Sequence, residues 1–442
     1  MSVVDDDVQV YRGAHEALAS RNGAPGWLRA RRVAAWERFV ERGFPTTRDE
    51  DWRFTNLSPL SRKRFRAPRA SDGDATLASL ATWLRFGAPC ALVFVNGRFS
   101  KRLSCPSNDD GVRLRSLSSV LSENPDLIET RLGQSLGERP GAFAALNTSL
   151  AEDGAVVEIA PGRVIEAPIS LVFLGTNEGG ASVAAHPRVL VVAGARSQAT
   201  LVEAYGGPEG EDYFTNVVTE VALGDGAVLD HVRVQRESAA GFHVATLAVR
   251  QGRDSRYRSI ALDLGAALAR TDIEVTLDGT GGECELDGLF MADGAQHTDT
   301  HTRIDHAQPH TSSREVYRGI LNGRARGVFH GRILVRPDAQ KVDAFQLNKN
   351  LVLSPNALVN STPQLQIFAD DVRCKHASTT GQIDAQALFY LRSRGIGESE
   401  ARDLLTYAFA GDIVSRVGVT PVRRAIQALL RERLPGAPQE DL

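Results

Sequence analysis

The stretch "VALGDGAVLDHVRV", residues 221–234, decides the fold. A β run ends at a Gly-Asp-Gly turn, and a second run follows in which apolar and polar residues alternate, as on a strand with one face buried. Segments 191–203, 248–262 and 276–290 follow the same plan. Their turns contain Gly194, Gly224, Gly252 and Gly281, at a period of roughly 30 residues that is typical of solenoid repeats.

This period predicts a mainly β chain with a parallel β-helix core over residues 151–381. No helical pattern of useful length interrupts the β segments, and each coil of such a fold buries its inner face on its neighbours. A β-sandwich is the alternative for short alternating strands, but the fixed period favours the solenoid. Because the terminal coils expose unpaired backbone, we expect a cap at each end.

Helical regions are predicted on both sides of the core, over residues 1–150 and 382–442. The segment 24–45 has apolar residues at helical spacing and stops at Gly43, and a short strand is expected at 90–99. The segment 45–60 reads as a loop held to a core by Trp52 and Phe54. After the core, Asp384 is a candidate N-cap and Gly395 a candidate C′ residue. Two further helices carry apolar stripes that include Leu404, Leu405 and Phe409, which predicts packing on the solenoid end or on another protein.

Composition excludes several classes of function. The net charge of −3 offers no basic footprint for nucleic acid, and four scattered cysteines cannot form a disulfide scaffold. The N-terminal segment is acidic and lacks the apolar core of a secretory signal, so we expect a cytoplasmic protein with reduced thiols. The sequence has no P-loop, no G-x-S-x-G, no CxxC and no H-E-x-x-H motif, which lowers the expectation of an enzyme.

A histidine-rich run, "QHTDTHTRIDHAQPHTSS" at 296–313, contains His297, His301, His306 and His310. Two histidines four residues apart on a strand share a face but stand roughly 13 Å apart, too far for one ion. Chelation would require neighbouring coils to bring other histidines close, so the run is interpreted as a polar strand without metal.

The segment "ADDVRCKHASTTGQIDAQALFYLRSRGI", 369–396, places Cys374 two residues before His376. On a last strand both side chains project to the same side, and both are competent ligands for iron or zinc. A small buried cysteine beside a surface histidine is an equally good interpretation of the spacing alone. If the pair is a metal site, the remaining ligands must come from another chain.

The same segment closely resembles the signature of the SufB/SufD family of iron–sulfur cluster assembly proteins. The resemblance continues through segments upstream, and it includes the Glu-x-Trp-x-x-Thr pattern formed by Glu50, Trp52 and Thr55. It covers nearly the whole chain and is densest over residues 298–413. The family's usual Cys-Ser-His-Gly-Ala-Thr reads Cys-Lys-His-Ala-Ser-Thr here, and the Cys-x-His pair resembles SufD more than SufB. The upstream segments that carry the resemblance are 161–171, 299–306, 328–335, 339–354 and 362–372.

The resemblance implies a right-handed parallel β-helix between helical terminal regions. It implies a non-catalytic scaffold that pairs with SufB and binds the ATPase SufC through its C-terminal helices. A transient iron–sulfur cluster would form at the SufB–SufD interface with His376, and Cys374 beside it, as this chain's contribution. Sulfur would arrive from a cysteine desulfurase, and a reduced flavin would accompany the complex.

The strands before Gly381 are expected to form that interface, since an open solenoid end invites strand pairing. Ile367 lies in this segment and Leu404, Leu405 and Phe409 lie in the predicted ATPase-binding helices. Three alternatives remain open: a SufB-like scaffold, a β-helix carbohydrate-active enzyme, and a metal-binding protein that uses the histidine run.

Overall fold

The computed structural model describes residues 3–20, 24–69, 74–105, 111–137 and 140–438; the first two residues of region 1–150 and the last four of region 382–442 are among those outside it. The α-helices in the described ranges are α1 (Val3–Ala19), α2 (Gly26–Arg42), α3 (Ser58–Ser61), α4 (Ala75–Leu84), α5 (Leu117–Glu123), α6 (Asp126–Glu129), α7 (Ala142–Leu150), α8 (Ala385–Ser393), α9 (Glu398–Val414) and α10 (Thr420–Arg433). The strands are β1 (Cys90–Val95), β2 (Arg98–Phe99), β3 (Val112–Ser116), β4 (Gly154–Ile159), β5 (Ile169–Leu174), β6 (Val183–Ala185), β7 (Arg188–Ala193), β8 (Gln198–Gly206), β9 (Tyr213–Leu223), β10 (Val228–Arg236), β11 (Phe242–Gln251), β12 (Arg256–Asp263), β13 (Leu268–Leu277), β14 (Glu283–Ala292), β15 (His297–His306), β16 (Ser312–Leu321), β17 (Arg326–Val335), β18 (Asp343–Val352), β19 (Leu358–Ile367) and β20 (Arg373–Gly381).

These strands stack into a two-sheet β-solenoid, which confirms the predicted fold class. Sheet 1 has the order β2-β1-β5-β8-β10-β12-β14-β16-β18-β20, and sheet 2 has the order β19-β17-β15-β13-β11-β9-β7-β4-β3, with β6 paired to β9. From β7 onward the chain alternates between the two sheets, so each coil adds one strand to each. Arg256 pairs with Glu283 and Ser312 pairs with Asp343, register offsets of 27 and 31 residues that match the predicted period.

Close stacking of successive turns explains why glycines mark this period. A Cβ at Gly194 would lie 2.6 Å from the backbone nitrogen of Pro161, and a Cβ at Gly224 would lie 2.7 Å from that of Ala195. Real side chains do not approach backbone atoms so closely, so the turn of one coil can rest on the next only where the side chain is absent.

The N-terminal end of the solenoid is closed by antiparallel strands. β2 pairs antiparallel with β1 and ends sheet 1, and β3 pairs antiparallel with β4 and ends sheet 2. The single strand expected at 90–99 is wrong, because Asn96 and Gly97 both have positive φ and fold it into a hairpin. β1 lies before the predicted start of the solenoid core at residue 151, yet it already pairs in parallel with β5. The domain boundary at residue 151 stays a prediction.

The first C-terminal helix, α8, begins and ends as predicted, but the C-terminal helices do not cap the solenoid. The Asp384 carboxylate accepts hydrogen bonds from the backbone of Gln386 and Ala387, and Gly395 adopts φ +90° at the end of α8. However, α9 contacts β14 and β16, and the buried residues of α9 and α10 join one apolar cluster with the outer face of sheet 1. The expected end cap is therefore wrong, because these apolar faces cover the side of the solenoid. Within the described ranges, every helix is too short or too polar to cross a membrane.

The N-terminal segment 48–57 is docked on the outer face of sheet 2 by a buried ion pair. Arg270 donates to Asp299 at 2.6 Å and to the backbone carbonyl of Asp51 at 2.7 Å, while its guanidinium lies 3.7 Å from the ring centre of Trp52. Thr55 donates to the same Asp299 carboxylate at 2.5 Å. The Glu-x-Trp-x-x-Thr pattern is thus a docking motif held by side chains from two strands.

The two aromatic residues of this segment behave differently from each other. Trp52 is buried, as the loop interpretation required, but Phe54 is 43% exposed and does not hold the segment. Burial alone would raise the pKa of Asp299, but the charge of Arg270 and the His301 imidazole outweigh burial and hold that pKa well below its usual range. The docking carboxylate is therefore an anion across the ordinary pH range.

The interior of the solenoid carries buried polar residues near its C-terminal end. Glu315 on β16 is fully buried and accepts a hydrogen bond from Gln346 Nε2 at 2.5 Å. Gln346 is its register partner on β18, and His376 is the register partner of Gln346 on β20. Burial outweighs the hydrogen bonds and raises the pKa of Glu315 to about 7. A column of polar side chains thus leads from the interior to the last strand.

We expect Glu315→Gln to change the pH dependence of stability. The pKa of Glu315 is about 7 in the folded chain and 4.5 in the unfolded chain. The contribution of the protonated side chain to the free energy of unfolding is therefore complete below about pH 4.5 and is lost as pH rises to about 7. The loss is of the order of 3 kcal/mol, and the variant should not show it. The free energy of unfolding, measured with urea, should therefore be more favourable to the variant relative to the wild type at pH 8 than at pH 5.

Glu283→Gln is the control, because Glu283 is exposed on the neighbouring strand β14. A Glu315→Gln variant whose stability difference from the wild type is the same at both pH values would contradict this account of the buried carboxyl.

Candidate functional site

The C-terminal end of the solenoid is open. β19 is the last strand of sheet 2 and pairs with β17 alone, and β20 is the last strand of sheet 1 and pairs with β18 alone. Both end strands are nearly as long as those inside the stack, and most of their residues are exposed or half-buried. Two adjacent edges of this length are a template for pairing with another chain.

The register shows which backbone groups face the open edge. Arg373 donates its amide to Val342, and Phe368 donates its amide to Val335. Because backbone groups alternate along a strand, the amides and carbonyls of Cys374 and His376 point away from β18, towards the open side. The same alternation leaves those of Ile367 pointing away from β17. A strand that pairs with either edge would therefore lie next to these residues.

Cys374 and His376 project to one side of β20, as predicted, but their surroundings differ. Cys374 is half-buried against an apolar cluster that includes Val342 and Ala344, whereas His376 is exposed. Burial, together with the nearby Asp343 carboxylate, raises the pKa of the Cys374 thiol. In this chain alone the cysteine behaves as a small apolar residue, and the imidazole of His376 is the solvent-exposed group of the pair.

A hydrogen-bonded network joins the two end strands beside this pair. Ser378 on β20 donates to Ser361 on β19 at 2.8 Å, and Ser361 donates to Asn348 at 2.8 Å. Sequence analysis did not single out these residues, although Ser378 follows Cys374 and His376 at alternate positions of β20 and therefore shares their face. The network links the two edges through hydrogen bonds.

Exposed apolar side chains concentrate at this end of the molecule. Five of the ten large apolar residues that are exposed among the described residues lie between positions 358 and 390. They are Leu358 (46% exposed), Ile367 (39%), Phe368 (64%), Phe389 (73%) and Tyr390 (55%). An exposed apolar patch beside an unpaired strand edge is typical of a protein–protein interface.

The predicted partner-binding residues of α9 are half-buried. Leu405 and Phe409 line a groove together with Leu351 and Ile383, and the guanidinium of Arg318 lies 4.7 Å from the ring centre of Phe409. Arg318 also donates to the Phe409 carbonyl at 2.8 Å. Phe409 is thus partly committed to the chain's own packing. Leu404 is also half-buried but lies outside the apolar clusters of the described residues.

The four histidines of the run 296–313 do not converge. His297 contacts Thr55 at 2.9 Å and His301 contacts Asp299, both on the outer face of sheet 2. His306 is fully buried on the opposite face, where burial lowers its pKa to about 4, and His310 is exposed in a loop. The four histidines of the run therefore do not form a common set of ligands with one another.

Comparison with known proteins places this architecture in one family. The SufBD core domain of the SUF system for FeS cluster assembly matches residues 173–409, and the SufBD protein N-terminal region matches residues 87–171. An iron–sulfur cluster assembly SufBD family protein of Synechocystis sp. is 37% identical, over 88% of this chain and 86% of that protein. Two iron–sulfur cluster assembly proteins named SufD are also similar: that of Escherichia coli is 28% identical over 90% of this chain and 92% of its own length, and that of Bacillus subtilis is 26% identical over 95% and 97%. Because the core match alone spans more than half of the sequence, the chain belongs to the SufBD family of iron–sulfur cluster assembly proteins.

Proposed function

We propose that this chain is a SufD-type, non-catalytic scaffold that pairs with a SufB-type subunit through its open end. The observation that carries the proposal is the pair of unpaired edges, β19 and β20, with the Cys374/His376 pair on the second of them. Pairing there would satisfy the free backbone groups of both edges and cover the exposed apolar residues at the ends of β19, Leu358, Ile367 and Phe368. The names of the Escherichia coli and Bacillus subtilis relatives support the SufD assignment.

The nascent iron–sulfur cluster is the cargo of the proposed interface. His376 offers an exposed imidazole, and Cys374 offers a thiol that becomes a ligand only when it loses its proton. Two ligands do not close an iron site, so the SufB-type subunit supplies the others. Sulfur from a cysteine desulfurase and a reduced flavin in the complex belong to the same proposal; they rest on the family resemblance and assign no residue of this chain.

A SufC-type ATPase is the second proposed partner, held by the C-terminal helices. α8 has no buried residue, and its Phe389 and Tyr390 are among the most exposed apolar side chains of the molecule. In contrast, α10 buries Val422, Ile426, Leu429 and Leu430 against the apolar cluster on sheet 1. Removal of the residues after about Gly418 would delete α10 and expose this cluster to solvent. Single substitutions on α8 and α9 therefore test ATPase binding with less damage to the fold than such a truncation.

His376→Ala should reduce cluster assembly by the complex about tenfold or more while leaving the fold intact. The side chain is exposed, so its loss costs little stability, whereas loss of a ligand should cost at least as much as loss of a group that orients a ligand. Anaerobic reconstitution, followed by cluster absorbance and acid-labile sulfide, measures the effect. Lys375→Ala is the matched control, because Lys375 is equally exposed but faces the other side of β20. Cys374→Ser should have a smaller effect, and a His376→Ala complex with wild-type assembly rates would refute the ligand role.

Ile367→Pro should abolish or weaken heterodimer formation without unfolding this chain. The Ile367 amide faces the open edge, so proline removes a donor that a partner strand alone can use, and Pro363 already occupies an equivalent position of β19. Ile367→Ala is the control, since it trims the side chain and keeps the amide. Size-exclusion chromatography with the SufB-type subunit should show dimer loss for the proline variant only. A folded proline variant with wild-type affinity would place the interface elsewhere.

Phe389→Ala and Leu404→Ala should each weaken retention of the ATPase several-fold and leave SufB pairing unchanged. Both positions present apolar surface that this chain buries only in part. A pull-down with the SufC-type ATPase, run alongside chromatography with the SufB-type subunit, separates the two contacts. Retention at wild-type levels by both variants would remove these helices from the proposed binding surface.

A further inference from the structure

Three side chains from distant parts of the sequence meet on the outer face of sheet 2. His301 on β15 and His330 on β17 are register partners, and Asp51 lies over them from the docked N-terminal segment. One ligand atom of each residue lies within 4.8 Å of the other two, and this is the one such trio of His, Cys, Asp or Glu side chains among the described residues. We propose that Asp51, His301 and His330 bind a first-row transition-metal dication, at a site distinct from Cys374 and His376.

The separation of the two imidazoles fits a shared ion. Nδ1 of His301 lies 3.3 Å from Nδ1 of His330. Two nitrogens bound to tetrahedral zinc at 2.0–2.1 Å stand about 3.3 Å apart, so the separation of these two nitrogens already matches that of a shared ion.

The surrounding hydrogen bonds prepare His301 to act as a ligand. Its Nε2 lies 3.1 Å from Asp299 Oδ1, and the other oxygen of that carboxylate accepts hydrogen bonds from Arg270 and Thr55. A carboxylate at this position favours the tautomer with the proton on Nε2, which leaves the lone pair on Nδ1, the atom that lies 3.3 Å from His330 Nδ1. A carboxylate behind the second ring nitrogen is the usual partner of a metal-binding histidine.

While both imidazoles are neutral, the ring nitrogens of His330 are poorly satisfied without an ion. If its proton is on Nδ1, it can donate weakly to His301, but then Nε2 is a buried acceptor that makes no hydrogen bond within the described residues. If its proton is on Nε2, two lone pairs face each other across 3.3 Å. A cation between the two Nδ1 atoms removes the second conflict, because it accepts both lone pairs.

Asp51 is held where its carboxylate can complete the trio. Arg270 binds its backbone carbonyl at 2.7 Å and stacks on the adjacent Trp52, while the Asp51 side chain itself is exposed and free to turn. Asp272 lies beside His301 in the sheet, but both of its oxygens already bind Arg270. Arg303 and Arg332 also line this groove, so the ion would enter a site of mixed charge.

The donor set indicates the class of metal. Two imidazoles and one carboxylate suit zinc, iron(II) or cobalt(II), whereas calcium and magnesium prefer oxygen ligands alone. Three protein ligands leave at least one coordination position for water. Because the ligands come from the N-terminal segment and from two coils, a bound ion would also tie that segment to the solenoid.

Cobalt(II) alone is the probe, added to the chelator-treated, full-length chain and followed by its visible absorption bands. We expect one equivalent to bind, zinc to displace it, and the melting temperature to rise. His330→Ala should abolish stoichiometric binding and Asp51→Asn should weaken it about tenfold or more. His310→Ala, an exposed histidine of the same region, should bind as the wild type does.

The double variant Cys374→Ser/His376→Ala separates this site from the proposed cluster interface, and it should retain the cobalt spectrum. Because the Asp51 side chain is exposed, the melting temperature of Asp51→Asn in chelator should equal that of the wild type. Weaker cobalt binding by this variant would then not be caused by misfolding. Failure of the wild type to bind cobalt, unchanged binding by His330→Ala, or loss of binding in the double variant would each overturn the proposal.

Discussion

A parallel solenoid cannot satisfy its own last coil, and this constraint shapes the rest of the molecule. Each inner strand is paired on both sides, but β19 and β20 have a neighbour on one side only. At the other end the chain solves the problem itself with two antiparallel strands, β2 and β3. The helices that could have covered the C-terminal end lie instead along sheet 1. The fold therefore keeps an open edge at its C-terminal end, and apolar side chains stay exposed beside it.

The repeat and the Cys-x-His face were accessible to sequence analysis because both depend on local geometry. Turn glycines recur since stacked turns leave no room for a Cβ, and Cys374 and His376 share a face since strand side chains alternate. Similar local rules identified Asp384 and Gly395 as the ends of α8. Any residue whose role is set by its own neighbours in the chain can be found in this way.

Features that depend on the register between coils were not accessible. His301 meets His330 because the offset between β15 and β17 is 29 residues, and a change of one residue would separate them. The C-terminal helices pack along the side of sheet 1 and not over its end, and helical periodicity alone does not decide between these two places. Asp51 reaches the two histidines because its segment is docked by contacts such as that with Arg270, more than 200 residues away in sequence.

The proposed cluster site at Cys374 and His376 is incomplete in the isolated chain, and this has a physical consequence. Burial keeps the Cys374 thiol protonated, so the chain alone presents iron with a single exposed imidazole from this pair. A single neutral imidazole holds a metal ion weakly, and the apolar neighbours of Cys374 disfavour a thiolate until a cation is close. In the proposed complex, ligands from the SufB-type subunit would bring that cation to the edge of β20 and favour the thiolate there. Cluster assembly would then depend on pairing of the two subunits, because neither the ligands nor the charge balance is complete before the edges meet.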